Sequence, residues 1–186
     1  MAGGPAAAAL RQGARRLGEN AASLGAPQGF GTWLTGKPLA FPLAGASNAA
    51  DALADACGRD DAHAMADASL ALLGLGPGLT PSGDDLVGGA FFARAALAAT
   101  NGSDRAAWRT ATSRVREAAR DATNPISAAL LSDLLEGQGW SALHDLVSAL
   151  GSGDDARSST AARRLTRLGH TSGWDLLSGF IAGASG

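Results

Sequence analysis

The chain has 186 residues, 46% of them hydrophobic, and its 15 Lys and Arg against 17 Asp and Glu leave a net charge of −2. This is a globular composition, long enough for one domain with a core of its own. The near-neutral balance excludes an electrostatic argument for nucleic acid or an anionic membrane as partner.

Lysine occurs once, at Lys37, and tyrosine not at all, so acid–base chemistry falls to carboxylates, histidine or the thiol. Cys57 is the single cysteine. It makes no intrachain disulfide, which fits a reducing, cytoplasmic compartment, and its setting in "ADALADACGRD" predicts a buried packing thiol.

In "MAGGPAAAALRQGARRLGEN" the arginines follow the small apolar run, so the segment does not read as a secretory signal. Residues 5–24 read as an Ala-rich helix. Residues 26–46, "APQGFGTWLTGKPLAFPLAGA", turn to Gly, Pro and aromatics and read as an irregular or short extended segment. Residues 1–46 are therefore expected as an N-terminal helix plus irregular segment, and residues 47–186 as a helical domain. The longest uncharged stretches, 20–36 and 68–83, are too short and too interrupted by Pro27, Pro77 and Pro81 for a membrane span.

Helices are expected at Ser47–Cys57 and Asp60–Leu73, the second with Ala64, Met65, Ala68 and Leu72 on one face and Gly74 as its stop. "LVGGAFFARAALAAT" reads as helical despite Gly88 and Gly89. Residues 104–121 are the clearest amphipathic stretch, with Trp108, Ala111, Val115 and Ala118 in one stripe. "NPISAALLSDLLEG" follows with Leu130 and Leu134 inward, then "SALHDLVSALG". "GSGDD" is a loop with a capping aspartate before "ARSSTAARRLTRLG", and "SGWDLLSGFIAGASG" closes the chain. Strand signals are scarce. The expected fold is mainly α, a single-domain helical bundle with a small irregular or β element near the N-terminus.

"GLTPSGDD", residues 78–85, carries the chemistry. Its Gly78 and Gly83 have the spacing of a phosphate-binding loop, but Asp84 and Asp85 stand where that loop needs a lysine and a hydroxyl, which excludes an ordinary nucleotide hydrolase. The turn has an echo 90 residues on: "SGDDLVGGAF" from Ser82 matches "SGWDLLSGFI" from Ser172. In both copies Ser followed by Asp three residues later fits a capping box, which accounts for Ser82, Asp85, Ser172 and Asp175. A Gly-rich helix start is also an anion site through its free N–H groups. Thr80 and Thr171 add hydroxyls. Asp84 and His170 lie outside any capping requirement. Carboxylates beside amide donors suit a ligand with both acceptors and N–H donors, such as a ureido or carbamoyl group. A hydrated Mg2+ beside a phosphate is the alternative partner for paired acids. No cofactor is evident, and His63, His144 and His170 have no metal-ligand spacing. Asn124, in "TNPIS", reads as a helix cap or a third contributor to the site.

"LLGLGPGLTPSGDDLVGG", "TNPISAALL" and "LGHTSGWDLLSGF", in that order, resemble the signatures of the AllH-like family over roughly residues 60–186. The resemblance implies a subunit of a bacterial oxamate carbamoyltransferase of allantoin breakdown, which interconverts oxalurate plus phosphate with oxamate plus carbamoyl phosphate. It implies the other subunits of that complex and a small-molecule substrate as partners. Family members carry a longer, partly β N-terminal region, so the 60 or so residues ahead of the match imply a shortened one. Gly78, Thr80, Ser82, Gly83, Asp84, Asp85, Ser172, Gly173 and Asp175 fall on motif positions, and the resemblance assigns them no roles. From the residues themselves, the amides of Gly83 and Gly173 are expected to hold an anionic end. Thr80, Ser82 and Thr171 would hydrogen-bond the ligand, and Asp84 and His170 would carry catalysis. The alternative is a non-catalytic binding or partner module that uses the same turns.

Overall fold

The computed structural model describes residues 4–101 and 105–185. The elements are α1 (Pro5–Glu19), a 3-10 turn (Ala21–Leu24), α2 (Phe30–Leu34), α3 (Ser47–Gly58), α4 (Ala62–Leu70), α5 (Ser82–Asn101), α6 (Arg105–Ala122), α7 (Pro125–Leu135), α8 (Ser141–Gly151), α9 (Asp155–Leu165) and α10 (Ser172–Ala184). The fold is mainly α, and no strand occurs among the described residues.

Two helices form the centre. Residues 81–94 of the α5 segment and 173–184 of α10 are buried on every face, the pattern of helices enclosed by others and not of surface amphipaths. They cross in close contact because glycines stand at the crossing. A Cβ on Gly89 would strike the Leu176 carbonyl, one on Gly179 the Leu86 carbonyl, and one on Gly183 the Ala90 carbonyl. One apolar cluster packs α1, α8 and α9 against α10 around Leu143, Leu165 and Phe180. The other packs α2, α3, α4, α6 and α7 against α5 around Leu53, Met65 and Leu131.

The sequence echo at Ser82 and Ser172 belongs to a larger repeat. In each half a helix pair packs together, α3 on α4 and α8 on α9, and leads into one of the central helices. The joints match in detail. Asp61 caps α4 by accepting from Ala64 N–H, and Asp154 caps α9 by accepting from Arg157 N–H. The residue before each cap has positive φ, 56° at Asp60 and 72° at Gly153. The N–H of each capping residue returns to a carbonyl five residues back, that of Ala56 or Ala149. The halves differ in the loop before the central helix, longer at 71–81 than at 166–171.

The segment at 26–46 is irregular around one short helix, α2, and contains no extended strand. Gly29 (φ 51°) and Gly36 (φ 73°) bend the chain on either side of α2, and Pro38 and Pro42 remove backbone donors a strand would need. Phe30, Leu39 and Leu43 are buried in the second cluster. In α7 the inward residues are Leu131, Leu134 and Leu135, with Leu130 only half-buried. The helix starts at Pro125, and its face is turned by one residue from the expected stripe. Cys57 is fully buried against Met65, and burial pushes its thiol up to about 12, so it is an inert packing group.

Candidate functional site

The two S-G-x-D turns meet. Thr80 Oγ1 lies 3.0 Å from Ser172 Oγ, and Ser82 Oγ lies 3.3 Å from Thr171 Oγ1. Each hydroxyl of one turn is thus paired with a hydroxyl of the other. The four hydroxyls line a cavity of about 550 Å3, with Gly78 and His170 also in its wall. The opposite wall comes from the N-terminal segment, through Gly29, Thr32 and residues 39–43.

Neither serine caps its helix. Thr171 occupies the N-cap position of α10 with helical φ and ψ and no side-chain cap bond, so Ser172 is the first helical residue. α5 likewise begins at Ser82, with Asp84 and Asp85 N–H both directed at the Pro81 carbonyl. Each carboxylate therefore sits one residue deeper than a capping box needs, and Asp175 reaches outward instead of back. Its Oδ1 accepts from Phe30 N–H at 2.6 Å, which ties α2 to the start of α10.

The glycine amides are engaged internally as well. Gly83 N–H donates to Leu75 O and Gly173 N–H to Leu168 O. A Cβ at either glycine would strike a carbonyl of the preceding segment, Leu72 or Leu165. These glycines permit close packing of the turn on the helix before it. Their N–H groups are not open to an anion, and the expected amide cradle is replaced by a floor of hydroxyls.

Behind that floor lie two buried acids. Asp85 is 3% exposed and Asp175 fully buried, and one oxygen of each, Oδ2, has no hydrogen-bond partner. Burial raises Asp85 to about 8. The Ser172 hydroxyl opposes this, the Asp175 charge adds to it, and Thr80 and Asp84 have smaller effects of opposite sign. Burial raises Asp175 to about 6, opposed by Phe30 N–H and the Ser82 and Thr171 hydroxyls. The wiring is crossed: the acid of each turn is served by a hydroxyl of the other.

Asp84 does not face this cavity. Its Oδ1 accepts from Gly74 N–H at 2.7 Å, and its Oδ2 accepts from Thr123 Oγ1 at 2.5 Å and Ser127 Oγ at 2.6 Å. A carboxylate with three donors, 2% exposed, fastens the α4–α5 loop to the α6–α7 joint. The expectation of Asp84 as a catalytic group overlooked these donors, which come from 10, 39 and 43 residues away. Asn124 is the cap of α7, accepting from Ile126 and Ser127 N–H, and its amide also donates to Leu79 O. It braces the loop that walls the cavity without lining it.

Of the residues singled out in the sequence, Gly78, Thr80, Ser82, His170, Thr171 and Ser172 share the cavity wall. Gly83, Gly173, Asp85 and Asp175 stand behind it. The contribution of residues 29–43 was not foreseen. Its signal is visible in hindsight as a Gly, Pro and aromatic cluster too rich in apolar residues for a plain linker. No group of three or more metal-ligating side chains occurs among the described residues. A second cavity of about 570 Å3 lies between α5, α6 and α7. Two of its three arginines are engaged, Arg94 with Asp60 and over the Trp108 ring and Arg116 with Glu136 and Ser132, and the third is Arg109.

The family model described as oxamate carbamoyltransferase subunit AllH matches residues 72–184. No curated protein and no solved structure matches the chain.

Proposed function

The chain belongs to the AllH family, and from that premise we propose that it is a subunit of an oxamate carbamoyltransferase-type enzyme of ureide catabolism. In this reading it binds a carbamoyl-, ureido- or phosphate-bearing small molecule at the paired S-G-x-D turns. The observation that carries it is the convergence of four hydroxyls from two distant segments, Thr80, Ser82, Thr171 and Ser172, on one cavity backed by two buried acids. Packing alone needs the glycines of these turns but not hydroxyls aimed at each other across a cleft.

A floor of hydroxyls can both donate and accept, which matches a carbamoyl group with its carbonyl oxygen and N–H donors. The same hydroxyls can donate to phosphate oxygens. His170, at the rim and exposed, would exchange protons with a bound ligand, while the buried acids would act through the hydroxyls. Partner subunits would supply a cation for a carbamoyl phosphate, since no Lys or Arg lines the cavity among the described residues. Three large apolar side chains stand exposed among the described residues, Phe41, Leu79 and Ile126, and the first two lie at the cavity mouth.

The test is reconstitution with the other subunits and assay of phosphate-dependent oxalurate cleavage. The paired variant Ser82→Ala with Ser172→Ala should keep its fold and lose at least about tenfold in activity, the loss expected for two hydrogen bonds to a bound ligand. Full activity in that variant would overturn the assignment.

A further inference from the structure

The two acids behind the hydroxyl floor come from equivalent positions of the repeat, yet their surroundings differ in one respect. Asp175 receives a backbone N–H, from Phe30 at 2.6 Å. Among the described residues, no backbone donor to Asp85 accompanies it in the other half. Both side chains are at least nine-tenths buried and each keeps one oxygen without a partner. Burial disfavours the ionised form of both acids, and the charge of Asp175 further disfavours that of Asp85. The N–H decides which one holds the charge, since it can only donate, and a carboxylate is its better acceptor.

We propose that Asp85 keeps its proton while Asp175 is ionised, so that the cavity floor has a donor end at Thr80 and Ser172 and an acceptor end at Ser82 and Thr171, and binds a primary amide or carbamoyl group in one orientation. The logic follows from hydroxyl chemistry. A hydroxyl that receives the Asp85 proton on its oxygen is free to donate its own hydrogen onward. A hydroxyl that donates to ionised Asp175 leaves its lone pairs for the ligand's N–H groups. The carbonyl of a carbamoyl group then lies over Thr80 and Ser172, and its NH2 over Ser82 and Thr171. The charges acting on Asp85 are those of Asp175 and Asp84, while on Asp175 burial is opposed by the Phe30 N–H and the Ser82 and Thr171 hydroxyls. The orientation rests on the ligand site proposed above; the proton assignment does not.

The experiment is a pH titration of carboxyl-13C-labelled aspartate by NMR on the free chain, for wild type, Asp85→Asn and Asp175→Asn. One carboxyl should stay protonated through neutral pH and ionise near about 8. That signal should vanish in Asp85→Asn and should titrate at lower pH in Asp175→Asn, where the like charge is gone. A signal that survives in Asp85→Asn, or two acids ionised at neutral pH, would overturn the assignment. A second arm titrates oxamate as the probe by calorimetry. Wild-type affinity should fall as pH rises through about 8, and Asp85→Asn, whose amide is a permanent donor, should lose that pH dependence. PH-independent wild-type binding would overturn the donor–acceptor floor. Oxamate that fails to bind a chain whose acids titrate as described would count against the proposed function and leave the proton assignment standing.

Discussion

Adjacent aspartates in one motif have opposite jobs. Asp84 accepts three short hydrogen bonds inside the protein, and Asp85 has one oxygen with no partner at all. Their asparagine variants should therefore differ sharply. Asp84→Asn replaces one acceptor oxygen by a donor that faces other donors, so it should cost about 1.5–3 kcal/mol or more, the range for hydrogen bonds to a charged group. Asp85→Asn is an isostere of a protonated acid and should be close to neutral at neutral pH. Urea denaturation of both variants checks this, and equal losses would contradict it. The pH dependence follows with its sign. The folded state holds the Asp85 proton more tightly than the unfolded chain, whose carboxyl has the ordinary value of 3.8. The unfolded state thus releases its proton first, and stability declines as pH rises from about 4 towards about 8. Asp175, raised to about 6, adds a decline of the same sign over the lower part of that window. The denaturation midpoint should fall between slightly acidic and slightly alkaline buffer, and fall less in Asp85→Asn.

At the level of helices, most of the order and limits were legible because they depend on local signals. Asp61 and Asp154 are caps with a recognisable residue type, Gly137 stops α7 with positive φ, and Val115 and Leu146 sit on the expected faces. By contrast, α4 ends at Leu70 and α9 at Leu165, short of the glycines expected to stop them, Gly74 and Gly169. What sequence could not show was anything decided by a partner far along the chain. Ser82 and Ser172 looked like caps because a capping box is a local pattern, but their hydroxyls pair with Thr171 and Thr80 of the other turn, 89 and 92 residues away. Asp84 looked free because its donors lie up to 43 residues away. The echo itself was visible, yet the repeat behind it was hidden, since equivalent joints use different residues, Asp60 in one half and Gly153 in the other. The glycines of the central crossing give a test at this scale. Gly179→Ala places a methyl against the Leu86 backbone carbonyl, which cannot rotate away as a side chain could. It should destabilise by about 1–3 kcal/mol or more despite the better helix propensity of alanine. Gly45→Ala, where a Cβ meets nothing within 4 Å, is the control and should be nearly silent in the same thermal melt.

For the molecule as a whole, the proposed site sits where the two halves of the repeat and the N-terminal segment converge. The repeat brings two helix starts together, the glycines let them approach, and residues 29–43 close the side that the repeat leaves open. Gly29 is the joint of that closure: its φ is 51°, and a Cβ there would collide with the Asp175 carboxylate. Gly29→Ala should therefore disturb the cavity and the fold together, lowering the melting temperature and abolishing ligand binding. No described helix is long and apolar enough to cross a membrane. The most direct measurement is a backbone amide chemical-shift titration of the 15N-labelled chain with oxamate and with inorganic phosphate. Perturbations confined to Gly78–Ser82, His170–Gly173 and residues 29–43 are the predicted result. Perturbations centred on Trp108 and Arg116 in the second cavity, or none with either probe, would contradict a ligand site at the paired turns.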